Sequence, residues 1–170
     1  MKFGTVINCT DGRVQYPVMD YLKKQYDFDF FDAANEAGPL RTLTKKSDKC
    51  RLITLKEQIR TSLEEHGSKF IALVGHHDCT DNPGDRAFQE SQLDESLDYL
   101  RRAFGSSITY VGLYVNERWV VEEYIRLESE ELAEFDHKPS KAKQCYRIVV
   151  LKKNLLEERG GATGLRSRRA

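Results

Sequence analysis

The sequence predicts an α/β fold in which helices flank a mostly parallel central β-sheet and one edge strand runs antiparallel. Short apolar runs rich in β-branched residues alternate with longer stretches whose apolar residues recur every three or four positions, the pattern of a parallel sheet with crossover helices. The last two apolar runs are separated only by residues 116–118, a link short enough for a hairpin turn. The predicted elements in chain order are a strand at 2–8, a helix at 14–26, a strand at 27–32, a helix at 52–66, a strand at 69–75, a helix at 88–104, and strands at 107–115 and 119–127.

The first strand and the first helix follow from local pattern. Residues 2–8 form a short apolar run with β-branched residues at its centre, which favours a buried strand. In residues 14–26, Val18 and Leu22 lie four positions apart and predict an apolar stripe along a helix. Pro17 is expected in the first turn of this helix, where its missing N–H costs little.

The second strand is predicted from alternating aromatic residues. Phe28 and Phe30 alternate with polar residues in 27–32, which is typical of a half-buried strand. Residues 33–39 are interpreted as the loop that follows, and residues 45–49 as a polar, exposed segment.

The second and third predicted helices each carry an aliphatic stripe and each end at a glycine. Gly67 is the expected stop of helix 52–66, and Gly105 is the expected stop of helix 88–104. The stripe residues are Leu55, Ile59 and Leu63 in the first of these helices, and Leu93, Leu97 and Leu100 in the second.

The remaining strands are the most apolar parts of the chain. Residues 69–75 give the clearest strand, and the hairpin 107–115 with 119–127 supplies the antiparallel edge. Trp119 and Tyr124 are expected to pack in the core or at an interface.

The C-terminal part has a weaker pattern. Residues 128–136 are compatible with an acidic helix, and residues 146–151 with a strand or the start of a further helix. We expect one domain over residues 1–158. Residues 159–170 are rich in glycine and arginine, and we expect them to form a disordered tail.

Composition excludes several classes of protein. Lysine plus arginine and aspartate plus glutamate each number 27, so the chain lacks the basic excess of a generic nucleic-acid binder. No apolar run approaches the roughly 20 residues that cross a bilayer, and the N-terminus has no signal-peptide layout. We therefore expect a cytoplasmic protein without nucleic-acid or membrane partners. In that compartment the four cysteines stay reduced, which favours metal binding or catalysis over disulfides.

Two short stretches at predicted strand ends carry the chemistry. Cys9 follows the first strand, and His76 and Cys79 follow the third, so they are expected at the same edge of the sheet. Two thiolates and one imidazole suit zinc, and three protein ligands leave a fourth position for water. Asp11 and Arg13 add a carboxylate that an arginine fork can hold beside that position.

Plainer interpretations of these residues stay open. The two thiols could be reduced and metal-free, or the zinc site could be purely structural. His77 could relay protons, although such a histidine is more often an exposed neighbour. Asp78 and Asp81 are expected to be solvated loop carboxylates, and Cys50 and Cys145 ordinary thiols.

The motif Cys-x-Asp-x-Arg followed by His-x-x-Cys resembles the β-class carbonic anhydrases. The resemblance implies that Cys9, His76 and Cys79 bind one Zn²⁺ per chain. It also implies that Asp11 and Arg13 form the dyad that orients the zinc-bound hydroxide. The implied reaction is the reversible hydration of CO2 to bicarbonate, and the implied assembly is a homodimer. In some β-class enzymes the aspartate, released from its arginine, binds zinc and closes the site.

The chain also departs from that family. Residues 35–38 are similar to the Asn-Ala-Gly loop of the family but contain an inserted Glu36. Residues 80–83 stand where the family has glycines after the second cysteine, and the long N-terminal arm is missing. The sequence therefore resembles a short, divergent branch.

The motifs leave the substrate open. Hydrolases of carbonyl sulfide and carbon disulfide share the same scaffold, so CO2 and its sulfur analogues are both compatible with it. A zinc-binding sensor or structural protein without turnover is the alternative from another class.

Overall fold

A computed structural model describes residues 1–130 of the chain. Its single sheet has the strand order β2-β1-β3-β4-β5, with β1 to β4 mutually parallel and β5 antiparallel to β4. The predicted fold class is therefore confirmed. The elements are β1 Phe3–Cys9, α1 Gly12–Gln25, β2 Phe30–Glu36, α2 Pro39–Lys45, α3 Lys49–Arg60, a π-helical turn Thr61–Glu65, β3 Phe70–His76, α4 Arg86–Phe104, β4 Thr109–Val115 and β5 Val121–Leu127.

Helices cover both faces of the sheet, and each face has its own apolar cluster. Side chains alternate between the two faces along each strand, which separates the clusters. Helix α1 packs on one face through Val14, Val18 and Leu22. Helices α2, α3 and α4 cover the other face. Their buried residues include Leu40, Leu43, Leu55, Ile59, Leu93, Leu97 and Leu100.

The second strand was predicted too early in the chain. It spans Phe30–Glu36 instead of 27–32, so residues 33–36 belong to the sheet and not to a loop. Its parallel pairing with β1 runs from Phe30, opposite Phe3, to Glu36, opposite Cys9. Phe28 lies before the strand and packs against the apolar cluster on the face of the sheet that α1 covers. The alternating aromatic residues therefore do not mark the strand, because Phe28 packs in an apolar cluster outside it. The limits of β2 are set by its pairing with β1.

Helix α1 starts earlier than the apolar stripe indicates. Asp11 is its N-cap, and the Asp11 carboxylate accepts a hydrogen bond from the Arg13 backbone N–H at 2.9 Å. Pro17 therefore lies in the second turn, and the prediction that it occupies the first turn was wrong. A proline at this position cannot donate to the carbonyl four residues earlier, that of Arg13.

Two helices differ from the prediction between β2 and β3. The short α2 begins with Pro39, a residue well suited to the first helical position, and was not predicted. Helix α3 begins at Lys49, three residues before the predicted start, because the Asp48 carboxylate caps it through the Arg51 backbone N–H. A proline marks the start of α2 and a capping carboxylate marks the start of α3, and neither feature shows in the apolar periodicity.

The C-terminal predictions lie largely outside the described residues. This applies to most of the predicted helix 128–136, to residues 146–151, to the tail 159–170 and to Cys145. The end of the predicted domain at residue 158 lies outside them as well. Among residues 1–130, no helix combines the length and apolar character needed to cross a membrane.

Candidate metal centre

Neighbouring parallel strands bring Cys9, His76 and Cys79 together. Cys9 is the last residue of β1, His76 is the last residue of β3, and Cys79 follows three positions later in a loop. One potential ligand atom from each residue lies within 4.8 Å of the others, and all three residues are buried. The two sulfur atoms are 4.0 Å apart. This spacing allows one metal ion to contact all three.

The histidine ring is oriented for metal binding. Its Nδ1 lies 2.8 Å from the His77 carbonyl oxygen and donates its proton there. This leaves Nε2 with a free lone pair. Nε2 of His76 is buried and has no hydrogen-bond partner within residues 1–130. A buried nitrogen without a partner is costly, and a metal ligand held by a carbonyl at its other nitrogen is the usual exception. The donor set therefore fits a zinc ion.

A hydrogen bond joins the two cysteine side chains and shifts their pKa values in opposite directions. A hydrogen bond from the Cys79 thiol stabilises the Cys9 thiolate and lowers the pKa of Cys9 well below its ordinary value. The same hydrogen bond, together with burial, raises the pKa of Cys79. The hydrogen bond therefore favours a thiolate at Cys9 and a protonated thiol at Cys79. A cation at this position would offset the thiolate charge and release the thiol proton.

The loop that carries Cys79 is anchored to helix α4 by buried amides. The Asn82 side chain donates to Gln92 at 2.6 Å, and the Gln89 side chain donates to the Asn82 carbonyl at 2.6 Å. All three residues are buried. Sequence reasoning missed this network. Its only local signal is Gln89, which lies four positions before Leu93 on the apolar stripe of the helix.

Gly38 lets the loop after β2 approach the Cys79 loop closely. Its φ of +60° lies in the left-handed region that favours glycine. A Cβ at this position would lie 2.9 Å from the Asp81 Cβ and 3.0 Å from the Asp81 carbonyl carbon. The second contact is with backbone, so a larger residue must displace the loop that carries Cys79.

We expect Gly38→Ala to lower the free energy of unfolding by about 2 to 4 kcal/mol and to weaken metal binding. Gly67→Ala is the matched control, because Gly67 also has a positive φ of +69° but has no atom within 4 Å of an added Cβ. Urea denaturation of the two variants separates backbone strain from the clash. Equal destabilisation would show that the contact with Asp81 has no role.

Asp11 and Arg13 form a two-pronged ion pair beside the three potential ligands. Arg13 Nη2 donates to Asp11 Oδ2 at 2.6 Å, and Nε donates to Oδ1 at 3.0 Å. These hydrogen bonds lower the pKa of Asp11 to about 2. The carboxylate therefore stays charged at neutral and alkaline pH. Its contribution to stability is complete above about pH 4, the ordinary carboxyl pKa, and is lost as the pH falls towards 2.

Asp78 also contacts Arg13, against the expectation of a merely solvated side chain. Arg13 Nη1 donates to Asp78 Oδ2 at 3.0 Å, and Nη2 donates to the Asp78 carbonyl at 3.1 Å. The Asp78 side chain is still 67% exposed. The residue after Asp78 is Cys79, so Arg13 links Asp11 to the loop that carries this cysteine.

His77, Cys50 and Asp81 are not members of the cluster of potential ligands. His77 is exposed and its backbone N–H bonds the Val115 carbonyl at 2.8 Å. The exposure agrees with the expectation of an exposed neighbour, and a proton relay stays the open alternative. Cys50 is an exposed free thiol on helix α3. Asp81 receives a hydrogen bond from Arg41 through its backbone carbonyl.

The chain belongs to the family described as "Putative carbonic anhydrase", whose profile matches residues 1–125. The family resemblance drawn from the motifs is thus confirmed. Among solved structures, one similar chain is a tetrameric beta-carbonic anhydrase from the filamentous ascomycete Sordaria macrospora. It is 12% identical with a TM-score of 0.47, and the match covers 72% of this chain and 79% of that chain. No curated protein matches the sequence.

Proposed function

We propose that this protein is a zinc-dependent enzyme that hydrates CO2 reversibly to bicarbonate. The observation that carries the proposal is the buried Nε2 of His76, which has no hydrogen-bond partner among residues 1–130 and clusters with the sulfur atoms of Cys9 and Cys79. Membership of the carbonic-anhydrase family supports the choice of reaction. The ion pair of Asp11 and Arg13 supports a catalytic site over a structural one, because a structural zinc site needs no such pair.

Cys9, His76 and Cys79 would hold the metal. When bound there, zinc would lower the pKa of a water molecule enough to provide a nucleophile near neutral pH. The two thiolates donate more charge than imidazoles, so this water should be less acidic than at a three-histidine site.

Asp11 would orient the nucleophile. Its carboxylate is ionised and can only accept hydrogen bonds, so it would accept one from the nucleophile and leave a lone pair of the nucleophile free for CO2. Arg13 holds both oxygen atoms of Asp11 and keeps the carboxylate from rotating. Asp11 is expected to raise the rate through its position and its negative charge. Its low pKa prevents it from acting as an acid near neutral pH.

The pH dependence of the rate tests this assignment. We expect kcat/KM for CO2 to rise from neutral to alkaline pH and then to level off, as water loses its proton. Asp11 cannot cause this rise, because its pKa is about 2. Stopped-flow hydration of CO2 by the zinc-loaded protein gives the profile. A flat profile with substantial activity would show that another group performs the reaction.

The homodimer and the cytoplasmic location stay predictions from the resemblance and the composition. Carbonyl sulfide and carbon disulfide serve as comparison substrates in the same assay. A kcat/KM for either that exceeds the value for CO2 would reassign the substrate while leaving the metal site as proposed.

A further inference from the structure

A third partner of Arg13 comes from the turn between β4 and β5. The guanidinium carbon of Arg13 lies 4.5 Å from the centroid of the Trp119 ring. Guanidinium groups stack well on indole rings, through both cation–π attraction and planar contact. The edges of the Arg13 fork bind Asp11 and Asp78, while Trp119 covers one face. Two edges and a face together define the plane and the rotation of the group.

Arg13 needs such support because it is half exposed. Its side chain is 44% exposed, and its ion pair with Asp78 is more exposed still. Exposed ion pairs contribute little, since water screens them and long side chains lose freedom in forming them. A rigid aromatic surface restricts the side chain without requiring burial of its charge.

The backbone of Trp119 adopts a conformation that bulky residues rarely take. Its φ is +59°, in the left-handed region, and the turn holds it there. Asn116 builds the turn: its side-chain oxygen accepts from the Arg118 and Val120 N–H groups, at 2.9 and 3.1 Å. The Trp119 N–H bonds the Asn116 carbonyl at 2.9 Å. Glycine would fit this turn without strain, so the tryptophan occupies it at a local cost.

We infer that Trp119 is a positioning residue that holds the plane of the Arg13 guanidinium and, through it, the Asp11 carboxylate. Trp119 contacts Arg13 and acts on the reaction only through that side chain. Its catalytic consequence rests on the proposed function, whereas its effect on Arg13 does not.

The first arm of the test measures CO2 hydration by zinc-loaded variants. Trp119→Gly removes the ring and suits the backbone conformation, so the variant should fold. We expect about a tenfold loss of kcat/KM for Trp119→Gly and most of the rate to be retained in Trp119→Phe, which keeps an aromatic face. Val120→Gly, a change at an exposed neighbour in the same turn, is the control for loosening of the turn and should keep the wild-type rate.

A double-mutant cycle shows whether the effect passes through Arg13. In an Arg13→Ala background, Trp119→Gly should cause no further loss, because the group it positions is gone. An equal loss in both backgrounds would overturn the inference and leave Trp119 a structural residue.

The second arm does not depend on turnover. The ¹H–¹⁵N resonance of Arg13 Nε, assigned by its absence in Arg13→Lys, should be sharp and displaced by the indole ring current. It should move and broaden in Trp119→Gly but not in Val120→Gly. An unchanged resonance in Trp119→Gly would overturn the inference. If the wild-type protein fails to hydrate CO2 while the resonance responds as expected, the proposed function fails and the positioning role stands.

Discussion

Replacing Arg13 with alanine is expected to leave zinc bound and to lower kcat/KM for CO2 hydration on the order of 100-fold or more. Arg13 lies outside the Cys9, His76 and Cys79 cluster, so the metal should stay. Its loss removes the side-chain hydrogen bonds to both oxygens of Asp11, while the bond from the backbone N–H of residue 13 to Oδ1 stays. Asp11 lies two residues from Cys9 and could then turn towards the metal and close the open position.

Asp11→Asn is the companion variant. The amide has nearly the shape of the carboxylate, but it can donate a hydrogen bond where only acceptance is useful. We expect zinc to be retained and the rate to fall by a similar factor. Elemental analysis and stopped-flow hydration measure the two quantities separately. If both variants kept the wild-type rate at full zinc occupancy, the ion pair would have no catalytic role.

Cys79→Ser is expected to abolish zinc binding and to remove the stability that zinc confers. Cys79 is buried and hydrogen-bonded to Cys9, and a serine hydroxyl is a poor substitute for a thiolate ligand. A metal present at 100 times its dissociation constant adds about 2.7 kcal/mol to the free energy of unfolding. Urea denaturation with and without zinc should show at least this increment in the wild type and none in Cys79→Ser.

Cys50→Ser is the matched control for this experiment. Cys50 is also a free thiol, but it is exposed and lies outside the candidate metal centre. This variant should keep one equivalent of zinc and the full zinc-dependent increment. Retention of one equivalent by Cys79→Ser would show that the metal is held elsewhere or by fewer residues.

The fold class could be predicted because the pattern of each element is local. The buried runs of β1, β3 and β4 are almost continuously apolar, and α4 carries a regular leucine stripe. The position of β2 could not be predicted in the same way. Its span depends on pairing with β1 over the full length of the strand, and the conspicuous Phe28 packs outside the sheet. Helix α2 has only seven residues, too few for periodicity to identify.

The cluster of potential metal ligands was accessible from sequence for a topological reason. Parallel strands end at the same edge of the sheet, so Cys9 and His76 could be expected at one edge, and the pairing of β1 with β3 brings them together. The residues that position the loops and side chains around this cluster act instead through contacts between segments that are distant in sequence. Gly38 against Asp81, and Trp119 against Arg13, leave no periodic signal in the chain.

The most direct test is to add zinc stepwise and to measure CO2 hydration by stopped flow. This test distinguishes an active enzyme from a zinc-binding protein without turnover. We predict that the rate above the buffer background rises in proportion to bound zinc, up to one equivalent, and that Cys79→Ser shows no such rise. A rate that stays at background with one equivalent of zinc bound through Cys9, His76 and Cys79 would contradict the proposed function.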